Sequence, residues 1–307
     1  MEATGPSKPL LRALTGCTGV GKTEWALRWA EARGAEIISC DSLLFYRGMD
    51  IGTAKPSRDE QLRVRHHLID SCDVIERMDV TQFVILARAA LDAITAGGRE
   101  ALVVGGSGFY LKAFFAPVAD TVSVSPELRA EVGTLTLEAA LQQLRVLNPS
   151  GLGGLDVANP RRVMRALERC IASGRTLVEL GQDFARQPSP FADWNVVVTQ
   201  LEREPEELNA RIDQRTDAML KEGLVGEVRG LLANGLKQNP SASRAIGYRE
   251  VIDHIENRLA ESELAGAIAS NTRRLVKKQR TWFRTQLPEH RVMAASTLSS
   301  PQELFPE

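Results

Sequence analysis

The sequence predicts an α/β protein: a parallel-sheet core carrying an inserted all-helical domain and a helical C-terminal part. Three observations predict it. The run Gly16-Cys17-Thr18-Gly19-Val20-Gly21-Lys22-Thr23 falls between a strand-like segment and a helical one. Short apolar runs, "AEIISCD", "EALVVGG" and "DWNVVVTQLE", alternate with helical patterns, as they do where helices cover both faces of a parallel sheet. The stretch from Ala119 to Asp193 contains no strand-like run. The expected division is therefore a core of residues 8–118 and 194–307 and a helical insertion of residues 119–193.

Taken in order, "PLLRALTG" reads as the first strand, running into the glycine-rich turn. "KTEWALRWAEARG" reads as a helix that buries Ala26, Leu27, Trp29 and Ala30 and closes at Gly34. "AEIISCD" follows as a strand ending on Asp41, "EALVVGG" as another, and "SGFYLKAFF" as a helix. Within the insertion, "VSPELRAEV", "TLEAALQQLRVLN" and "NPRRVMRALERCIASG" read as successive helices. The last has Asn159 as N-cap, Pro160 at its first position and Gly174 at its end, with Val163, Ala166, Leu167, Cys170 and Ile171 on one apolar face. After the strand "DWNVVVTQLE", four helical patterns run from Pro205 to Leu287, and the tail beyond Pro288 is expected to be irregular.

Composition narrows the function classes. Hydrophobic residues at 43% and charged residues at 25% fit an ordinary globular protein with a packed core. No apolar run reaches the length of a membrane span, and "MEATGPSKPLLRAL" lacks the basic, apolar and cleavage regions of an export signal, so no membrane partner and a cytoplasmic location are expected. Cys17, Cys40, Cys72 and Cys170 are scattered, which argues for reduced thiols over a zinc site or disulfide framework. A net charge of −1 means that any polyanion must be held by a local patch.

The chemistry begins at Gly16-x-x-x-x-Gly21-Lys22-Thr23. Backbone N–H groups at the start of a helix point at an anion, the helix dipole favours negative charge, Lys22 adds a full positive charge and the Thr23 hydroxyl suits Mg²⁺. This is a phosphate cradle on a P-loop NTPase-like core, and nucleotide binding, ATP included, is its first reading. An ATP-driven enzyme of this type also carries an apolar strand ending in a metal-holding Asp, but "ALVVGG" ends in glycines. Asp41 is the carboxylate at the carboxyl edge of the sheet, open to three roles: metal ligand, general base or helix cap.

Further blocks decide between phosphate ligands. "DSLLFYRGMDIGTAKP", Asp41 to Pro56, closely resembles a signature of the tRNA dimethylallyltransferases, and so does "GCTGVGKT" with their phosphate loop. "HHLID", "VGGSGFY", "ALERCIASGRTLVEL", "RAIGYREV" and "TRRLVKKQRTWFR" are similar to further blocks in the same order, along nearly the whole chain. The chain departs from the family in having Leu44 for a common Gln, Cys17 for Pro, Ser107 for Thr, and "DVAN" for a His-Pro-Asn-Asp run.

The resemblance implies transfer of a dimethylallyl group from dimethylallyl diphosphate to N6 of the adenosine 3′ of the tRNA anticodon, position 37, with Mg²⁺ as cofactor. It implies that Gly16 to Thr23 hold the diphosphate and that Lys22, Thr23 and Arg215 act on the leaving group, with Thr23 at the metal. Asp41 is then the general base. Ser42, Leu43, Leu44, Ser107 and the segment Arg244, Ala245, Ile246, Gly247, Tyr248 and Arg249 are expected to contact the RNA. Arg129, Arg161, Arg162, Val163, Met164 and Arg165 of the insertion are expected to do the same.

Charge distribution supports an anticodon stem-loop partner. Between Leu264 and Arg284 there are six basic residues and no acidic ones, with Arg273, Lys277, Arg280 and Arg284 at helical spacing. A second strip, Arg161, Arg162, Arg165 and Arg169, lies opposite the insertion's apolar face. Arg211 and Arg215 share a helix face where ion pairs to Glu207 or Asp213 are the structural alternative to diphosphate contact. His66 and His67 are expected to be structural, and Trp282 and Phe283 to lie in the core. The chain is expected to be a monomer. Two other functions stay open: prenylation of free adenylate, and an ATP-driven kinase or RNA-binding NTPase.

Overall fold

The computed structural model describes residues 8–306; the N-terminal segment read above for export signals lies mostly outside them, as does residue 307 of the expected core. The chain divides into two compact units, one running to Ala116 and resuming at Pro190, the other Pro117–Ser189.

The first unit opens with β1 (Leu10–Gly16), α1 (Lys22–Arg33), β2 (Glu36–Ser39), α2 (Arg58–Arg63), β3 (His66–His67), α3 (Val80–Ala96), β4 (Ala101–Val104) and α4 (Gly108–Lys112). The second unit contains α5 (Pro126–Gly133), α6 (Leu137–Leu147), α7 (Pro160–Ser173) and α8 (Leu177–Arg186). The first unit then resumes with β5 (Asn195–Glu202), α9 (Pro205–Lys221), α10 (Leu224–Ala233), α11 (Pro240–Ser243), α12 (Tyr248–Ile255), α13 (Glu261–Gln286) and β6 (Arg291–Ala294).

The sheet is parallel throughout, in the order β3-β2-β4-β1-β5-β6. Its central strand β1 pairs Ala13 with Val103 on one side and Val198 on the other. Both faces must therefore be covered, and the near-continuous apolar character of "LLRALTG" and "ALVV" follows from that. On one face α1 buries Trp25, Ala26, Leu27, Trp29 and Ala30, and Gly34 closes it in a left-handed conformation. On the other, Phe45, Phe83 and Tyr110 form an edge-packed aromatic group. A separate apolar cluster joins Cys17 of the glycine-rich turn to Leu208 and Ile212 of α9 and to Ala269, Val276 and Phe283 of α13.

The tail corrects the expectation of irregular chain beyond Pro288. β6 pairs in parallel with β5, from Thr199–Arg291 to Glu202–Ala294. Beyond it, Leu298, Leu304 and Phe305 join the cluster around α1, with Phe305 edge-on to Trp29 at 5.5 Å. The strand was hidden because its side chains are mostly exposed: it is held by an edge ladder, which leaves no apolar alternation in the sequence. The strand before Asp41 is also shorter than read, ending at Ser39.

In the second unit, Asn159 caps α7 through its side chain to the Arg162 N–H, as its position implied. Ile171 departs from the expected apolar face and is exposed, whereas Glu168 on the same helix is buried. That carboxylate is offset by Arg165 at 2.7 Å and Arg129 at 3.8 Å.

Because the tail closes over α1, Phe305→Ala should lower unfolding free energy by about 3 kcal/mol, measured by urea denaturation. A change within the error of the measurement would mean the tail does not seal this core.

Candidate active site

The glycine-rich turn joins β1 to α1 at the carboxyl edge of the sheet. Gly16 has φ of 145°, and a Cβ there would sit 2.5 Å from the Leu201 carbonyl oxygen of β5, so no side chain fits. The loop carbonyls are held from behind. Lys22 Nζ donates to the carbonyls of Gly16 at 2.9 Å and Cys17 at 3.0 Å. Arg211 Nε donates to the Gly19 carbonyl and Arg203 Nε to that of Val20, both at 2.8 Å. Burial pushes the Lys22 ammonium down to about 8, against the opposing pull of the Asp41 carboxylate.

Helix α13 holds the same loop from the side. Gln279 accepts from the Thr18 N–H at 3.0 Å and donates to the Gly106 carbonyl at 2.9 Å. Gly106 is required by this approach, since a Cβ would lie 2.9 Å from Gln279 Nε2 and 3.0 Å from the Gly16 oxygen. Cys17 is buried beside Val276, and burial raises its thiol; it fills space, as do the other three buried thiols.

Two cavities meet at this edge. One, of about 540 Å³, is lined by the phosphate loop, Lys22, Thr23, Ser39, Leu44, Arg211 and Arg215 among others. The other, of about 520 Å³, is lined by Ser42, Leu43, Gly106, Ser107, Phe109, the segment Arg244 to Gly247, Lys278 and Trp282 among others. Thr18, Asp41, Thr53 and Arg215 line both. Asp41 sits beyond the end of β2 and begins no helix; its carboxylate accepts from the Leu43 N–H at 3.0 Å. The helix-cap reading falls.

Arg211 and Arg215 are not paired as the structural alternative required. Glu207 pairs with Arg203 and Asp213 with Arg273. Arg215 is enclosed, donates to the Thr53 carbonyl at 3.1 Å, and is pushed below the usual arginine range by burial, with Asp41 opposing the shift. Its loop is stapled by Glu227, which accepts from the N–H groups of Asp50, Ile51 and Gly52 and from the Tyr248 hydroxyl at 2.6 Å. His66 and His67 are structural: the His66 ring lies 2.7 Å from the Val64 carbonyl oxygen and the His67 ring 2.5 Å from Glu36.

An IPP transferase family model matches residues 44–286. The chain belongs to the IPP transferase family. A tRNA dimethylallyltransferase of Opitutus terrae is 66% identical, with 99% of each chain covered. One from an Exiguobacterium species is 40% identical over 89% of this chain and 86% of that one. Among solved structures, a full-length tRNA isopentenylpyrophosphate transferase of Bacillus halodurans superposes with a TM-score of 0.68 at 32% identity, covering 94% of this chain and 90% of that one. A eukaryotic dimethylallyltransferase acting on tRNA has the same fold, with a TM-score of 0.83 at 22% identity over 96% of this chain and 76% of that one.

In this family member two residues expected to contact RNA, Val163 and Tyr248, have enclosed side chains, and several of the expected cations have partners within the protein. Val163 is wholly enclosed in the core of the second unit, and Tyr248 is wholly enclosed with its hydroxyl on Glu227; neither side chain reaches a surface. Leu44 faces the cavity of the phosphate loop instead of the second cavity. Arg249 is paired with Glu250 at 2.6 Å. In the insertion, Arg162 pairs with Asp156, Arg165 with Glu168 and Arg169 with Asp120, while Met164 packs partly buried against the core there. On α13, Arg273 pairs with Asp213 and Arg280 donates to the Arg203 carbonyl. Lys277 and Arg284 are exposed and form no ion pair among the described residues. Trp282 is half-buried, packing against the apolar cluster of α9 and α13 as expected while also lining the second cavity; Phe283 is buried as expected.

Sequence reasoning missed Gln279, Arg203 and Glu227 and left Arg211 unassigned. Gln279 carried one signal: a neutral amide inside a run of cations.

Two outcomes follow from this geometry. Because Lys22 releases its proton near pH 8 and an anion favours the charged form, pyrophosphate binding should take up a proton at about pH 9 and none from Lys22 at about pH 6.5. Calorimetry in buffers of different ionisation enthalpy reads this, and Lys22→Met should remove the difference. Lys277→Ala should weaken tRNA binding and flatten the log–log salt slope by about one unit; an unchanged slope assigns that face to solvent.

Proposed function

We propose that this chain transfers a dimethylallyl group from dimethylallyl diphosphate to N6 of the adenosine at position 37 of tRNA, releasing diphosphate. One observation carries the reading: Asp41 and Arg215 stand where a cation-lined phosphate cavity opens into a second cavity with apolar and aromatic walls. The names of its relatives, tRNA dimethylallyltransferases, support the same reading.

The diphosphate lies on the Gly16 to Thr23 loop, using its amides other than those of Thr18 and Val20, which are engaged within the protein. Lys22 leaves the Gly16 and Cys17 carbonyls for the anion, and Arg215 meets it from α9, with Arg211 behind Gly19. These cations stabilise charge that grows on the bridging oxygen as the allylic C–O bond breaks. The cavity offers hard oxygen donors in Thr23 and the neighbouring carboxylates, a set that suits a divalent cation such as Mg²⁺. Thr23 would hold that ion, and when bound it supplies further charge neutralisation to the leaving group.

The second cavity takes the adenine, turned out of its stack. A loop nucleotide costs less to extrude than a paired one. Its N6 lone pair is delocalised into the ring, so it attacks only an activated carbon. As the N–C bond forms, the nitrogen becomes strongly acidic and its proton passes to Asp41. Ser107, Ser42 and Leu43 line the approach, and Phe109 and Trp282 supply aromatic walls.

Asp41→Ala should reduce single-turnover prenyl transfer by about 100-fold or more while tRNA affinity changes less than about twofold. Lost affinity with an unchanged rate would remove Asp41 from the chemistry.

A further inference from the structure

The buried polar atoms without a hydrogen-bond partner include the Ser39 hydroxyl. Ser39 is 2% exposed and ends β2, paired in register with Val104. It lines the phosphate-loop cavity together with Lys22 and Thr23. Buried hydroxyls are nearly always satisfied, so an orphan on a residue that lines a ligand cavity points to a water, ion or ligand there.

Several polar neighbours in that cavity have partners of their own within the protein. Glu60 accepts from the Ser57 N–H in a capping box, and the His66 ring contacts the Val64 carbonyl. Asp41 accepts from the Leu43 N–H. The strand between β2 and β1 contributes no carboxylate, since β4 runs into Gly105 and Gly106. A divalent cation bound through diphosphate and Thr23 keeps several waters, and those waters need acceptors. A serine hydroxyl accepts from such a water and can donate in turn to a phosphate oxygen.

We infer that the Ser39 hydroxyl is a binding group for the hydrated cation–diphosphate complex, accepting a hydrogen bond from a metal-bound water. The inference rests on the function proposed above. Ser39 then acts through the cation's hydration shell, and a buried hydroxyl without a partner costs the fold stability.

The test uses the full chain, inorganic pyrophosphate and Ser39→Ala. Calorimetry with Mg²⁺ should show binding weakened about three- to tenfold, while binding in EDTA stays at the wild-type value. The melting temperature of the ligand-free variant should rise, because a buried unpaired polar group is removed. Ser39→Cys, close in size but a weak acceptor, should bind like the alanine variant. Unchanged Mg²⁺-dependent affinity overturns the inference, and so does an equal loss in EDTA, which would place the hydroxyl on the anion. A lowered melting temperature assigns Ser39 to structure. If the wild-type chain binds no pyrophosphate with Mg²⁺, the proposed function fails instead.

Discussion

A peptide loop binds an anion only if its amides face the ligand and its carbonyls do not. Here that orientation is imposed from outside the loop. Four carbonyls, those of Gly16, Cys17, Gly19 and Val20, each accept from a cationic side chain: Lys22, Arg211 and Arg203. Turned toward these donors, the carbonyls are kept from facing an anion, which limits the reorganisation that binding requires. The arrangement also explains why Lys22 is enclosed yet mobile in role. Its ammonium rests on carbonyl oxygens that a diphosphate outcompetes as a partner.

The same logic extends to the segment after Asp41. Residues 41 to 56 form no regular element except short turns and a single bridge, Tyr46 to Cys72. Their shape comes from side chains elsewhere. Glu227 of α10 gathers three consecutive N–H groups and the Tyr248 hydroxyl, while Lys55, almost wholly buried, ties Asp50, Asp70 and the Tyr46 carbonyl together. Thr53, fixed between these staples, presents its carbonyl to Arg215. Arg215 is thus positioned by a loop that α10 and α12 hold, although it belongs to α9.

Legibility in the sequence followed the range of the interactions. The phosphate loop, α1 with its Gly34 cap and α7 with its Asn159 cap are local patterns, and they stand in the structure as read. Asp41 was legible by its place after an apolar strand, though not its role. α3 went unassigned despite the Asp79 capping box at its start, and β6 was hidden because it is an edge ladder with exposed side chains. Gln279, Arg203 and Glu227 reach the backbone of the loops they hold across separations of 173 residues or more in chain order. No spacing rule reaches that far. The buried state of Val163 and Tyr248 was equally invisible, because a residue inside an RNA-like block can be there to hold the block's shape.

The two cavities draw on different parts of the chain, and this separates recognition from activation. The phosphate cavity is lined by the loop after β1, by β2 and α1, by Thr53, Ala54 and Pro56 and by two arginines of α9, among others. The second cavity depends on α4, α11 and α13 and on the turn at Arg244 to Gly247. A diphosphate site alone would release its allyl cation to water. Phe109, Trp282 and side chains of α13 line the space beside the reacting end, where the acceptor would enter. Under the proposed function Asp41 gains its role from position, on the wall that both cavities share. Helix α13 links these functions physically, since Gln279 touches the loop that holds the leaving group while Lys278 and Trp282 line the space for the acceptor. The glycine-rich motif therefore selects what departs, and the C-terminal helices select what attacks.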